Sequence, residues 1–489
     1  MSRGIWLAVG TVLAAGPVGA QSAPEISEAR IRTGMEVLSS DSFGGRKPGT
    51  PSERKTTDYI ARQFAEAGLA PAAGNGWLQP VELVTRRMRS ATLVVRGPSG
   101  EATDLSDAVA LVGNGASVVL NNVPLVLGEY VKASEAGMAG ALVLYRDNDP
   151  PGTPQPQPTD WVTRLAILAR AGARGALVVV PDEAFAKRKA AFESGITTLA
   201  SDPTLVVRGI ISESAAKSVI EASSPFRADA KVNTDIVKFT SHNVAGVLKG
   251  ARQPDEYVMY TAHWDSFGHC RPGEADEICN GAIDNASGTA GMIELARAFA
   301  SGARPDRSVL FLATTAEEMG LAGSRQYGRT PLVPLGKTVV EFNLDVIVLY
   351  DRGNSAGFVG AGLTDADSVF GRLVTVQGRT LETGGLAKMV VRSSDAWSLL
   401  MAGVPSFILS GAIGSGAQGN QAFHDYLATR YHGPSDEFLA SMPMGGAVEE
   451  VELLYAAGLY YARAGTSVAF KAESAFQRAE RQASSSNSW

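Results

Sequence analysis

The first candidate for metal chemistry is a histidine and an aspartate at the end of an apolar run. Tyr257-Val-Met-Tyr-Thr-Ala262 has the composition of a buried strand and leads directly into His263-Trp-Asp265. Residues two apart on a strand project to the same side, so His263 and Asp265 are expected to lie together. An acidic partner often fixes the tautomer of a metal-binding histidine. Taken alone, such a histidine more often has a surface or structural role.

Three more acidic side chains follow at the boundaries of predicted elements. Asp284 lies just before a helical pattern over 289–299, where helix N-termini favour an acidic residue. Its position therefore fits a simple helix cap as well as it fits a metal ligand. Glu317 and Glu318 follow the apolar run 308–313, which has the composition of a buried strand. Adjacent carboxylates at a strand end point in different directions, so one could hold a metal while the other moves protons. Surface Glu-Glu pairs are common, however, so this pair is informative only together with its neighbours.

The last two candidates are Asp345 and His432. Asp345 ends the strand pattern 338–345, where a buried carboxylate requires a partner or backbone donors. His432 lies in the loop Tyr431-His432-Gly-Pro-Ser-Asp436, where a surface role is the simplest interpretation. In an open α/β sheet, side chains at successive strand ends gather in one crevice. Together the candidates suit two zinc ions that share one carboxylate, with an open position for water and one carboxylate left over.

These motifs, in this order, resemble the co-catalytic di-zinc aminopeptidase family, which includes bacterial leucyl aminopeptidase, aminopeptidase S and glutamate carboxypeptidase. The motifs are His263-Trp-Asp265, Asp284-Asn285, Glu317-Glu318, Asn343-Leu-Asp345 and Tyr431-His432-x-Pro-Ser-Asp436. The resemblance extends to Leu38-Ser-Ser-Asp-Ser-Phe-Gly-Gly-Arg-Lys-Pro-Gly-Thr50 and to Asn243-Val-Ala-Gly246. The sequence departs from the family pattern at Ala396, which follows Asp395 where the family usually has a histidine. This difference affects the expected wall of the substrate pocket more than the expected metal ligands.

The resemblance implies specific roles for seven side chains. One zinc ion would be bound by His263, Asp284 and Asp345, and the second by Asp284, Glu318 and His432. Glu317 would act as the general base on a zinc-bridged water, and Asp265 would be the partner of His263. The remaining histidines are interpreted as non-ligands: His242, His269 and His424.

The function implied by the resemblance is a zinc-dependent exopeptidase with a peptide substrate, acting at the amino end. A carboxypeptidase or dipeptidase on the same scaffold is the nearest competing hypothesis, because no amine-binding or carboxylate-binding pocket is marked in the sequence. Two further hypotheses are a glutaminyl cyclase-like transferase with one zinc and a non-catalytic, receptor-like binding protein. The sequence carries no pattern for side-chain preference or oligomeric state.

Composition excludes several other classes of protein. The 489 residues are 45% hydrophobic and 19% charged, which argues against global disorder and against a polytopic membrane protein. The net charge is −6 and the chain has no basic block, so nucleic acid is not expected as a partner.

The N-terminal segment predicts export to the periplasm or the medium. Residues 1–20 combine one basic residue, an apolar stretch and Val18-Gly-Ala20, which is the order of a cleaved signal peptide. Its uninterrupted apolar run is shorter than the roughly 20 residues of a spanning helix. No other segment is apolar enough to consider, so no membrane span is expected after its removal. In an oxidising compartment Cys270 and Cys279 could close a short disulfide loop, whereas in the cytosol they would stay thiols.

The elements that position these side chains predict an α/β fold. We expect a mixed, mostly parallel central sheet flanked by helices, as in zinc exopeptidases, interrupted by a smaller β-rich α/β insertion. Short β-branched runs from about residue 89 mark the insertion, whose texture is similar to a protease-associated domain. The predicted parts are a signal peptide (1–20), two peptidase segments (21–88 and 237–466), the insertion (89–236) and a polar, frayed tail (467–489).

Overall fold

A computed structural model describes residues 24–480 except 75, 129–136, 147–160, 221–224, 348, 354, 384–391 and 412–416. The predicted signal peptide over 1–20 and the end of the tail, 481–489, lie outside the described residues. Among the described residues, no helix combines the length and the apolar character needed to cross a bilayer.

The described strands form one continuous sheet apart from a short separate hairpin. The strands are β1 (Ala70–Pro71), β2 (Leu78–Arg96), β3 (Ala102–Asp104), β4 (Val109–Gly113), β5 (Ser117–Gly128), β6 (Leu142–Tyr145), β7 (Gly175–Val180), β8 (Ile196–Leu199), β9 (Val207–Ser212), β10 (Phe226–Leu248), β11 (Gln253–His263), β12 (Gly268–His269), β13 (Ile278–Cys279), β14 (Arg307–Thr314), β15 (Thr338–Asn343), β16 (Ala356–Val359), β17 (Leu381–Glu382) and β18 (Ser406–Ser410).

Helices cover the sheet in both parts of the chain. They are α1 (Glu28–Leu38), α2 (Pro51–Glu66), α3 (Trp161–Arg170), α4 (Asp182–Ser194), α5 (Glu213–Ile220), α6 (Gly288–Ser301), α7 (Ala322–Arg329), α8 (Asp367–Val376), α9 (Asp395–Met401), α10 (Ala417–Thr429) and α11 (Gly445–Tyr461). Helix α2 begins with Pro51, which suits a first helical turn, and it buries Ile60 and Phe64.

The segment 237–466 contains the parallel strands that the sequence predicts. Strand β11 pairs in parallel with β14 on one side and β15 on the other, and β15 pairs in parallel with β18. All residues of β14 and β15 are buried, as expected for central strands covered on both faces. The predicted fold class is therefore confirmed. Because parallel strands end at the same edge, the segments after β11, β14 and β15 meet there.

The insertion continues the same sheet. Its strands follow the order β10-β5-β6-β7-β9-β4, with parallel pairs from β5 through β6 and β7 to β9. Its main core contains Leu93, Leu111, Leu144 and Leu177, and helices α3, α4 and α5 belong to this part. The insertion is thus an α/β unit with a core of its own.

Two long strands join the insertion to the rest of the sheet. Strands β2 and β10 pair antiparallel from Leu78 opposite Val244 to Arg96 opposite Arg227. The boundaries predicted at residues 88/89 and 236/237 therefore fall inside continuous strands. Both positions lie in the more exposed middle of a strand whose residues are buried again toward each end.

The polar tail does not fray over its described part. Phe476 is 4% exposed and its ring lies 5.6 Å from the ring of Trp397. Arg478 Nη2 donates to the backbone oxygen of Thr338 at 2.7 Å. Together with backbone bonds such as Ala479 N to Gly403 O at 2.9 Å, these contacts hold an otherwise polar segment against the fold, which its average composition does not indicate.

Candidate metal centre

Five predicted ligands meet at the carboxyl edge of the parallel strands. His263 ends β11, Glu318 follows β14 and Asp345 follows β15. Asp284 lies in the turn Ala282–Ser287 directly before α6, and its own backbone is not helical. His432 lies in the loop after α10. Each side chain therefore occupies the end of an element, where a rigid scaffold can hold it.

The ligand atoms form two groups that share Asp284. Asp284 Oδ1 lies 3.1 Å from His263 Nε2, and Asp345 Oδ1 lies 3.6 Å from the same nitrogen. Asp284 Oδ2 lies 3.4 Å from His432 Nε2, which is also 3.1 Å from Glu318 Oε2. Within each group all ligand atoms lie within 4.8 Å of one another. Asp284 thus presents one carboxylate oxygen to each group, as a bridging ligand requires.

The chemistry of these donors fits zinc. Each group offers one imidazole nitrogen and carboxylate oxygens, and three protein ligands leave a coordination position open. Glu318 Oε1 is buried and has no hydrogen-bond partner among the described residues. A buried, unpaired carboxylate oxygen is costly, so a bound cation would explain its position. Zinc at both groups would also offset the charge of the clustered carboxylates.

Glu317 belongs to neither group of ligands. Burial raises the pKa of its carboxyl well above the usual value, and the neighbouring Glu318 and Asp395 raise it further, whereas His263 opposes them. A carboxylate with a raised pKa beside a metal site suits proton transfer, because general acids and bases work best with a pKa near the ambient pH.

Asp265 contacts both the glutamate turn and His263. Its Oδ1 accepts from Glu317 N at 3.0 Å and its Oδ2 from Glu318 N at 3.3 Å. His263 Nδ1 lies 3.3 Å from the backbone oxygen of Asp265 and 3.8 Å from its carboxylate. Burial raises the pKa of Asp265 to about 6, with the charge of His263 opposing this shift. Asp265 therefore connects the end of β11 to the turn after β14. The resemblance to the family implies only its contact with His263.

Arg46 is a residue of the site that sequence reasoning missed. It is fully buried and donates to four backbone oxygens: Nε to Trp264 at 2.7 Å, Nη1 to Leu38 at 2.8 Å and Asn280 at 2.6 Å, and Nη2 to Gly281 at 2.8 Å. Burial lowers the pKa of Arg46 to about 10, with nearby carboxylates opposing. One guanidinium thus fixes the segments that follow β11 and precede Asp284. The resemblance of the 38–50 segment is the only indication of this role in the sequence.

Asp436 holds the turn that carries the shared ligand. Its Oδ1 accepts from Ile283 N and its Oδ2 from Asp284 N, both at 3.0 Å. The hydroxyl of Tyr426 also donates to Oδ2 at 3.0 Å. Burial raises the pKa of Asp436 to about 6. The aspartate at the end of the His432 motif therefore orients Asp284, a role that the sequence alone does not assign.

A disulfide-bonded hairpin lies against His432. Cys270 and Cys279 are bonded, and their hairpin pairs β12 with β13. The ring of Phe267 lies 4.5 Å from the ring of His432, and Cys279 Sγ lies 3.6 Å from the backbone oxygen of His432. Gly45, whose φ is 62°, packs closely against the hairpin. A Cβ atom at this position would lie only 2.6 Å from the backbone oxygen of Cys279. The hairpin thus helps to fix the loop of one ligand, and Cys279 lies beside the group of Asp284, Glu318 and His432.

The other three histidines lie outside the ligand groups found among the described residues. His242 Nδ1 pairs with Glu53 at 3.1 Å, and His269 Nδ1 lies 3.6 Å from Glu277 on the hairpin. His424 is exposed on α10.

Zinc affinity of the Glu318 and His432 group is expected to rise with pH. In the metal-free site, burial and the charge of Asp284 raise the pKa of Glu318 to about 8. Burial lowers the pKa of His432, but hydrogen bonds to Asp284 and Glu318 outweigh it and raise the value to about 9. Both groups must lose their proton to bind a metal, so affinity should increase up to about tenfold per pH unit for each proton released, and level off above about pH 9.

Competition of the metal-free protein with a zinc chelator across this pH range measures the effect. His424→Ala is the matched control and should keep the same slope. An affinity independent of pH would contradict the assigned protonation of the metal-free site.

The part of the chain that carries both ligand groups matches a known family of peptidases. Residues 243–451 match the model of Peptidase family M28. The resemblance predicted from the sequence is therefore confirmed for this part of the chain. The insertion lies before the matched region, so its likeness to a protease-associated domain stays a prediction.

Particular relatives agree with this class. Over 115 residues the chain is 39% identical to aminopeptidase NAALADL1 of Mus musculus, covering 22% of this chain and 14% of the relative. It is 38% identical over 111 residues to aminopeptidase YwaD of Bacillus subtilis (strain 168), covering 22% of each chain. The matched stretches thus span less than a quarter of these relatives' lengths.

A solved structure shares the fold over nearly the whole chain. The aminopeptidase from Aneurinibacillus sp. strain AM-1 superposes with a TM-score of 0.56 at 18% identity, covering 93% of this chain and 95% of that one. At this identity the likeness concerns the fold.

Proposed function

We propose that this protein is an exported exopeptidase that uses two zinc ions to remove residues from the amino end of peptides. The observation that carries the proposal is the position of Asp284, whose two carboxylate oxygens face different histidines. Glu317, beside these groups but in neither of them, supplies the separate carboxylate that hydrolysis needs. The relatives named aminopeptidases support action at the amino end.

Zinc bound by the two groups would supply Lewis acidity toward the scissile carbonyl and the attacking water. The chain's own contribution is to move the proton. A carboxylate oxygen of Glu317 accepts the proton of the attacking water and later donates it to the leaving amine nitrogen. Asp265 holds the backbone N–H groups of Glu317 and Glu318, so the base and a metal ligand keep a fixed separation.

Export is part of the proposal. The pattern of residues 1–20 supports it, because a basic residue, an apolar stretch and small residues occur in the order of a signal peptide. The disulfide between Cys270 and Cys279 supports it as well, since such bonds persist in oxidising compartments. Detection of a mature chain beginning near Gln21 outside the cytoplasm would test this part.

A panel of reporters tests the activity. Peptides with a free amino end should be hydrolysed, whereas the same peptides with a blocked amino end should not. A chelator should abolish hydrolysis and zinc should restore it. Hydrolysis only from the carboxyl end would identify a carboxypeptidase, and cyclisation of amino-terminal glutamine without hydrolysis would identify a cyclase-like transferase. A protein that binds no zinc at micromolar concentrations would refute the proposal.

Replacing His432 by alanine should remove one of the two zinc ions. His263, Asp284 and Asp345 remain intact in this variant, so it should bind about one ion per chain instead of about two. Metal analysis after dialysis measures the difference. His424→Ala makes the same change eight positions earlier at an exposed site and should keep both ions. Equal zinc content in the two variants would remove His432 from the ligand set.

A further inference from the structure

The turn that carries Glu317 and Glu318 has an unfavourable backbone conformation. Ala316 and Leu321, which bracket the two glutamates, have φ values of 53° and 60°. For residues with a Cβ atom such values are unfavourable and persist only when surrounding contacts enforce them. The turn therefore depends on contacts from outside itself. Asp265 supplies one such contact from the catalytic part of the chain.

A second contact comes from the insertion. Asp202, which follows β8, has a side chain only 3% exposed. Its Oδ2 accepts from Arg325, and its Oδ1 accepts from Arg329 Nη2 at 2.8 Å. Both arginines lie on α7, the helix that begins directly after the glutamate turn. A buried carboxylate of the insertion is thus paired with the helix that leaves the active site.

Arg325 connects Asp202 to the turn itself. Its Nη1 donates to the backbone oxygen of Gly320 at 3.0 Å. The N–H groups of Gly320 and Leu321 both donate to the backbone oxygen of Glu317 at 2.8 Å. A continuous series of hydrogen bonds therefore runs from the insertion through one guanidinium to the peptide of Glu317.

Apolar contacts support the same junction. Leu199, the last residue of β8, packs in a buried cluster with Ala316 and Ala322 at the two ends of the turn. The ring of Trp161, at the start of α3 in the insertion, lies 5.1 Å from the guanidinium carbon of Arg325. A Cβ atom added to Gly320 would lie 3.8 Å from this ring. The insertion thus covers the turn as well as pairing with it.

We propose that Asp202 is a positioning residue for Glu317, so that the insertion is a working part of the catalytic apparatus. The inference rests on the proposed function, because Glu317 is the base only in a hydrolase. Asp202 acts through Arg325 by holding the turn, and it contacts neither metal group. Loss of its charge should let the turn relax and should misplace the base, a change that can cost up to about 100-fold in rate when the shift is near 1 Å.

Asp202→Asn tests the proposal with little change in volume. We expect kcat to fall about 10- to 100-fold while KM changes less than about twofold and both zinc ions remain. Arg325→Lys is a second variant that keeps the charge but cannot serve Asp202 and Gly320 together, and it should show the same pattern. The double variant should be no slower than the slower single one, because both changes break the same series of bonds.

Asp229→Asn is the control variant. Asp229 pairs with Arg96 at 3.0 Å within the insertion, on strands β10 and β2. Its replacement should leave kcat unchanged. A kcat in Asp202→Asn equal to that of the control, or a change confined to KM, would overturn the proposal.

Amide hydrogen exchange separates this inference from the proposed function. In Asp202→Asn, peptides covering 315–323 should exchange faster, whereas those covering 338–345 should not. This readout needs no substrate, so it reports the link between the insertion and the turn even if the protein proves not to be a peptidase. Unchanged exchange at 315–323 would refute the link, whereas changed exchange without any hydrolysis in the parent protein would refute only the enzyme assignment.

Discussion

Replacing Glu317 by glutamine should reduce kcat by about 10²- to 10⁴-fold, the usual contribution of a general acid or base, while both zinc ions stay bound. Glutamine has nearly the same shape but cannot accept the proton of the attacking water. Glu317 lies outside both ligand groups, so its replacement removes no metal ligand. Its backbone N–H still donates to Asp265, so the turn should keep its conformation.

Glu318→Gln is the matched comparison, because it makes the same change one residue later. Glu318 belongs to the group with His432, so this variant should lose zinc as well as activity. Metal analysis and steady-state kinetics on both variants separate the two roles. Normal turnover in Glu317→Gln, or zinc loss in that variant, would show that the roles of the adjacent glutamates are misassigned.

Replacing Arg46 by methionine should lower the free energy of unfolding by about 4 kcal/mol or more. The change leaves four buried backbone oxygens without their donor, and each unsatisfied buried group costs about 1–3 kcal/mol. It also removes a positive charge that interacts with Asp265, Asp284 and Glu318. The metal-free protein should lose the most, since bound zinc offsets part of that charge.

Urea unfolding of the metal-free and zinc-loaded protein measures this effect. Arg54→Met is the matched control, because Arg54 is 90% exposed on α2 and pairs only with Asp58 at 3.5 Å among the described contacts. The control should change stability by less than about 1 kcal/mol. Equal stabilities of the two variants would mean that Arg46 does not hold the metal-bearing loops.

Much of the candidate site is predictable from the sequence, because its side chains follow strongly patterned elements. The apolar runs before His263 and Asp345 have the composition of buried strands, and parallel strands bring their carboxyl ends together. Any single motif is a weak indication of the family, whereas the order of all five motifs along the chain is a specific one. The sheet, the two ligand groups and the insertion could therefore be anticipated.

The contacts that hold the site could not be anticipated in the same way. Arg46 binds backbone oxygens, and any residue can present a backbone oxygen, so no sequence pattern marks its partners. Asp202 and Arg325 are far apart in the chain and pair only because the sheet brings β8 beside α7. The positive φ of Leu321 could not be predicted either, because leucine rarely adopts a left-handed backbone conformation.

The antiparallel ribbon of β2 and β10 has a consequence for the order of folding. Its partners lie far apart in sequence, with the whole insertion between them, so their pairing closes a long loop at a large entropic cost. Folding of the insertion shortens that loop and aligns the two strands. Strand β14, which pairs with the far end of β10, can then add to a prepared edge. We therefore expect the insertion to fold before the remaining strands of the sheet pair, because its folding brings β2 and β10 together.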